Sequence, residues 1–187
     1  MIRVAVDAMG GDRGPEEIVA GALAAATDTV KPIVLGPKDL DTQGLELIEA
    51  PDVIAMEEKP TEAVRSKPRS SLVTACRAVA EGRADAVVSA GNTGAMLAAS
   101  LLELRRIQGV RRPAIAVTIP AREGPSVLLD AGANADARPE DLVQFAHMGA
   151  VYARYLLGRT NPRVGLLSIG EEDTKGNGLV LDRKSVV

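Results

Sequence analysis

Three segments of this chain combine small, hydroxyl and cationic residues in the way an anion site requires. The first is Asp7-Ala8-Met9-Gly10-Gly11-Asp12 with Pro15 behind it, and the second is Ser89-Ala90-Gly91-Asn92-Thr93-Gly94. Each closes an apolar strand-like run and opens a helical pattern, Pro15 suiting a first helical turn because its missing N–H costs nothing there. Both corners therefore bare backbone N–H groups at a helix N-terminus, where the helix dipole favours phosphate. The third segment, Arg65-Ser66-Lys67-Pro68-Arg69-Ser70-Ser71, also precedes a helix and offers cations beside the N-cap hydroxyls of Ser70 and Ser71. Any one corner alone is more simply an ordinary tight turn. Lys67 and Arg69 are either ligands or plain surface charge. The three together favour an anion site.

Other chemistries fall by count. One His (His147) and one Cys (Cys76), without C-x-x-C or H-E-x-x-H, cannot build a zinc site of usual composition, so no metal is expected. Cys76 shares a helical face with Leu72, Val79 and Ala80 and reads as a buried structural thiol rather than a nucleophile. Neither a G-x-S-x-G elbow nor a G-x-x-x-x-G-K-[ST] loop is present, and Gly10-Gly11-Asp12-Arg13-Gly14 lacks the G-x-G-x-x-G spacing of dinucleotide sites.

The elements that must hold these corners follow from periodicity. Residues 3–7, 32–35, 53–56, 86–89, 114–119, 127–130 and 163–168 read as strands, and 15–26, 39–50, 71–81, 94–107 and 139–157 as helices. Alternation of this kind is a βαβ rhythm, which predicts a mostly parallel sheet covered on both faces. In such sheets ligands bind at the carboxyl ends of strands, where the glycine corners lie. The chain of 187 residues is 46% hydrophobic but only 2% aromatic, so its core is built from Ala, Val, Leu and Ile. A net charge of −3, from 22 basic and 25 acidic residues, gives no global field for nucleic acid, and stacking side chains are scarce. Arg105, Arg106, Arg111 and Arg112 read as a charged, solvated helix end. The opening has no signal-peptide layout and one Cys excludes an internal disulfide, which points to the cytoplasm. The longest apolar run, 95–102, is far short of the ~20 residues of a spanning helix, so any membrane contact is expected to be peripheral. The chain reads as a single α/β domain over 1–187 that is cut short after residues 170–177, where a further helix and strand are expected.

At these residues the sequence closely resembles the bacterial phosphate acyltransferase family of phospholipid synthesis. Val4-Ala5-Val6-Asp7-Ala8-Met9-Gly10-Gly11-Asp12 with Pro15 resembles that family's N-terminal signature, and Ser89-Ala90-Gly91-Asn92-Thr93-Gly94-Ala95 its central one. Val64-Arg65 with Ser70-Ser71, Leu129 to Asn134, Leu142 to Phe145 with Met148-Gly149, and Gly165 to Glu171 with Lys175-Gly176-Asn177 are similar to further family motifs. The resemblance runs from residue 1 to about 177. Two positions depart from it: Arg13 stands where the family commonly has His, and Gly178 where it typically has Glu.

The resemblance implies a three-layer α/β/α fold like that of phosphotransacetylases and isocitrate or isopropylmalate dehydrogenases, and a homodimer. It implies transfer of a fatty acyl group from acyl carrier protein to inorganic phosphate, with no organic cofactor and with peripheral membrane association or a membrane acyltransferase as partner. That reaction needs donors that hold a dianion and stabilise a tetrahedral oxyanion. Backbone of Gly10, Gly11, Gly91 and Gly94, with Asn92 and Thr93, is assigned to them. Lys175 is the expected charge partner, Asn134 and Asn177 are polar positioners, and Asp7 or Asp12 is an orienting group. Two rival readings stand beside this one. A metal- and NAD-dependent decarboxylating dehydrogenase of the same fold would draw on Asp7, Asp12 and Asp130 for its metal, and an inactive binding or dimerisation fragment would need no site.

Overall fold

The computed structural model describes residues 1–122, 124–134 and 136–167. Its elements run β1 (Ile2–Asp7), α1 (Gly14–Ala25), β2 (Val30–Gly36), β3 (Glu46–Glu49), α2 (Pro60–Ser66), α3 (Ser71–Ala80), β4 (Ala86–Ser89), α4 (Thr93–Glu103), β5 (Val117–Ile119), β6 (Ser126–Leu128) and α5 (Pro139–Leu156). By their contacts they divide into two compact units, the second starting at Arg106.

The first unit is built on a four-stranded sheet of order β3-β2-β1-β4. All its pairings are parallel, as the βαβ rhythm predicts. Side chains alternate across a strand, so consecutive residues of β1 enter different cores. Ala5 and, from β2, Leu35 pack with Ala75 and Ala78 of α3, while Val6 and Val34 pack with Val19 and Ala22 of α1. Small residues on α3 let that helix sit close to the sheet. A third cluster joins Ala63 and Val64 of α2, Leu72, Val73 and Cys76 of α3, and Ala95 and Ala99 of α4. Cys76 is fully buried and burial pushes its thiol pKa up, although Ser100 opposes this. A thiolate nucleophile is accordingly disfavoured.

Two sequence expectations fail in the first unit, and one helix there is additional to them. Residues 39–50 form no helix: Gln43 and Gly44 take positive φ angles of 51° and 93°, Leu45 N–H bonds Thr42 C=O, and the chain then extends into β3. Residues 53–56 form no strand; the only ladder contact there is an isolated bridge between Asp52 and Ser70. The seven-residue α2 has no counterpart in the sequence reading, being too short for periodicity to reveal, although Pro60 and Glu62 mark its first turn.

The second unit contains an antiparallel pair, β5 with β6, rather than a continuation of the parallel rhythm. Residues 163–167 form no strand, and Ser168 lies outside the described residues. Arg111 and Arg112 are not a solvated helix end. Arg111 Nε and Nη2 reach Oδ1 of the fully buried Asp141 at 2.9 and 2.8 Å, and Arg112 Nη1 donates to Asn134 Oδ1 at 3.3 Å. Burial opposes ionisation of Asp141, but the Arg138 amide and the Arg111 guanidinium hold its pKa below the usual value. Among the described residues no helix is long and apolar enough to cross a membrane.

Candidate active site

Strands β1 and β4 are hydrogen-bonded neighbours whose last residues, Asp7 and Ser89, stand opposite each other in register. The loops that leave them are thereby adjacent, although more than eighty residues separate them in sequence. Ser89 Oγ donates to Asp7 Oδ2 at 2.7 Å and accepts from Gly91 N–H at 3.0 Å, while Met9 N–H donates to Asp7 Oδ1 at 3.3 Å. Asp7 is 2% exposed, so this carboxylate is a buried node between the two loops.

Glycine is required where the loops meet. A Cβ on Gly10 would lie 2.6 Å from Asp7 Oδ2 and 2.8 Å from Gly91 N, closer than side chains tolerate. One on Gly91 would lie 3.3 Å from Gly10 Cα. Gly11 adds a φ of 101°, a conformation that L side chains rarely adopt. Backbone from both corners thus converges at the N-terminus of α4, which suits an anion.

Of the sequence candidates, Gly10, Gly11 and Gly91 come together here, with Thr93 exposed at the first position of α4. Asn92 is at the same corner, but its side chain is used within the protein. Its Oδ1 accepts from Ala95 N–H at 3.0 Å as the helix cap, and its Nδ2 donates to Met56 and Glu58 carbonyls at 2.9 and 3.2 Å. Gly94 lacks a side chain for a different reason, since a Cβ there would lie 2.6 Å from Pro60 Cγ at the start of α2. Asp12 is exposed, and Arg13 beside it pairs with Glu17 at 3.5 Å.

The basic segment is also occupied structurally. Ser70 and Ser71 are buried; Ser70 caps α3 by accepting from Val73 N–H, and Ser71 N–H bonds the Asp52 carbonyl. Lys67 Nζ donates to the Val53 carbonyl at 2.8 Å and pairs with Glu58 at 2.6 Å. Glu58 is held below the usual carboxylate pKa first by that lysine and next by the Ala55 amide.

In the second unit Asn134 sits in a closed network. Its Nδ2 donates to Pro113 C=O and Asp130 Oδ2, and its Oδ1 accepts from Arg112. Asp130 in turn accepts N–H bonds from Ile115, Ala133 and Asn134, which together outweigh burial and lower its pKa. Lys175 and Asn177 lie outside the described residues. Among the described residues, no group of three His, Cys, Asp or Glu side chains is placed to hold a metal ion. The residue that sequence reasoning left without a role is Ser89. Its motif is visible, but its partnership with Asp7 depends on strand order.

A search of solved structures returns a branched-chain phosphotransacylase from Enterococcus faecalis V583, at TM-score 0.57 and 20% identity over 82% of this chain and 51% of that one. It also returns the EutD phosphotransacetylase from Staphylococcus aureus, at TM-score 0.60 and 22% identity over 81% and 52%. At such identities the likeness establishes the α/β fold. Among curated proteins, one named phosphate acyltransferase from Heliobacterium modesticaldum is 51% identical over 96% of this chain and 57% of its own length. Another of that name from Desulfitobacterium hafniense strain Y51 is 53% identical over 96% and 56%. The chain thus spans little more than half the length of these relatives. The model of the fatty acid synthesis protein family matches residues 2–187, and with relatives at this identity the chain belongs to that family.

Proposed function

We propose that the gene product carrying this chain is a phosphate acyltransferase, moving a fatty acyl group from acyl carrier protein to inorganic phosphate. The observation that carries the reading is the convergence of Gly10, Gly11 and Gly91 backbone at the ends of adjacent parallel strands, beside the α4 N-terminus. Relatives named phosphate acyltransferase at about half identity support it. A phosphate oxygen attacks the thioester carbonyl carbon, and the tetrahedral intermediate expels the carrier thiolate, which takes up a proton. The products are acyl phosphate and the free carrier thiol. Phosphate is itself the nucleophile, so the protein's task is to hold the dianion and stabilise the oxyanion. Backbone N–H groups of the two glycine corners, apart from that of Gly91, which Ser89 Oγ accepts, and the Thr93 hydroxyl serve the phosphate. Lys175 supplies charge to the oxyanion, with Asn177 positioning. The protein works in the cytoplasm as a homodimer and meets the membrane, or a membrane acyltransferase that consumes its product, peripherally.

Hydroxylamine trapping tests this. The gene product, given a fatty acyl-acyl carrier protein and phosphate, should yield acyl hydroxamate in a phosphate-dependent way without nucleotide. Strict dependence on ATP or NAD would overturn the reading.

A further inference from the structure

The buried Asp7 is too enclosed to meet a ligand, yet it is hydrogen-bonded to both glycine corners. Ser89 is the relay: its one hydroxyl proton goes to Asp7 Oδ2, and its lone pair receives the Gly91 N–H. The chain of bonds from Gly91 through Ser89 and Asp7 to Met9 fixes the first corner against the second. Gly10 lies within this circuit, where a Cβ on either Gly10 or Gly91 would press on the backbone of the other. The separation of the two sets of N–H groups is therefore set by a contact behind the site.

We propose that Asp7 and Ser89 form a positioning clasp that holds the β1–α1 and β4–α4 loops at the spacing needed to bind phosphate. The proposal rests on the reading of this corner as the phosphate site and identifies what gives the corner its geometry. Asp7, rather than the exposed Asp12, is then the orienting carboxylate. Loss of the clasp lets the two loops separate, so that one phosphate can no longer meet both sets of donors. The clasp is assigned to phosphate alone, so the KM for the acyl donor should change little.

Kinetics of the full-length gene product with inorganic phosphate test the clasp. Ser89→Ala should raise the KM for phosphate about tenfold, as expected for a lost hydrogen bond to a charged group, and leave the KM for the acyl donor within about twofold. Ser89→Thr, which keeps the hydroxyl, should restore it. Asp7→Asn should raise the phosphate KM as well, and the double variant should be no worse than the more impaired single one, because both changes break one circuit. An unchanged phosphate KM in Ser89→Ala, even with a lowered urea midpoint, would overturn the clasp. So would additive effects of the two changes, or failure of Ser89→Thr to restore binding.

Glycine-selective amide NMR separates this from the underlying site reading. In the wild-type protein, phosphate should shift the Gly10, Gly11 and Gly91 signals, and their indifference to phosphate would overturn the site. Without phosphate, Ser89→Ala should displace the Gly10 signal across the loop gap, and its indifference would overturn the clasp alone.

Discussion

Gly10 and Gly21 are both glycines in the first unit, yet a methyl group at each meets opposite circumstances. At Gly10 it would press on Asp7 Oδ2 and the Gly91 amide; at Gly21, inside α1, it would meet nothing within 4 Å. Overpacking of a tight contact costs roughly 1–3 kcal/mol, which at a binding site is about 5- to 150-fold in affinity. Gly10→Ala is therefore expected to raise the phosphate KM of the gene product by about that factor, measured by steady-state kinetics. Gly21→Ala should instead stabilise the chain by about 0.5–1 kcal/mol, the helix-interior difference between the two residues, read from urea unfolding. Lys175→Ala should mainly depress turnover, roughly 10- to 1,000-fold, because a charge partner of the oxyanion acts in the transition state. An unchanged turnover number would remove Lys175 from the mechanism. At this scale the sequence reveals which residue types gather, since glycine, hydroxyl and amide groups at strand ends are visible in one dimension. It does not reveal which of them are already engaged. Asn92, Ser70 and Ser71 have the right chemistry for a ligand, but their polar groups are used in helix caps and buried backbone bonds.

Strands β1, β2 and β4 and helices α1, α3, α4 and α5 lie within a few residues of their sequence-expected bounds, because their apolar periods are sustained. The segment before β3 misleads because Leu40, Leu45, Leu47 and Ile48 imitate helical spacing, while the positive φ at Gln43 and Gly44 is decided by the turn. Pairing of β1 with β4 is likewise invisible in the sequence, and one side-chain contact fastens it at the end opposite the site. Arg3 donates to Asp85 through its amide, Nε and Nη2 at 2.8, 3.2 and 3.0 Å. The Arg3 side chain, and next its amide, lower the Asp85 pKa from 3.8 to about 2. Since the folded value lies below the unfolded one, the contact contributes fully above the unfolded value of about 4. That contribution is lost as pH falls toward and through about 2. Wild-type urea midpoints should therefore decline more steeply across this window than those of Asp85→Asn. The pair is partly exposed, so the difference should be modest and shrink in high salt. Equal slopes in the two proteins would show that the contact does not favour the folded state.

Across the whole molecule, burial is distributed unequally between the two compact units. The three apolar clusters are made of residues between Val4 and Ala99, all in the first unit. Among the described residues of the second unit, the buried apolar side chains are Phe145 and Ala153. The division after Arg105 has no mark in the sequence, which reads as a single domain because no Pro-, Gly- or Ser-rich linker interrupts it. It follows instead from where long-range contacts concentrate, a property of the fold. Hydrophobic burial is the main favourable term in folding, and local stability follows the density of buried apolar contacts. The first unit thus contains what a cooperative transition needs: a four-stranded parallel sheet with helices on both faces. Residues 1–105 expressed alone should fold and unfold in urea as one cooperative step, seen identically by far-ultraviolet circular dichroism and by amide exchange. In the 187-residue chain, amides of the first unit should exchange more slowly than those of α5, which has fewer buried apolar neighbours to hold it. If residues 1–105 are unfolded in isolation, or if α5 amides exchange as slowly as those of β1 and β2, the first unit does not hold the stability that its burial implies.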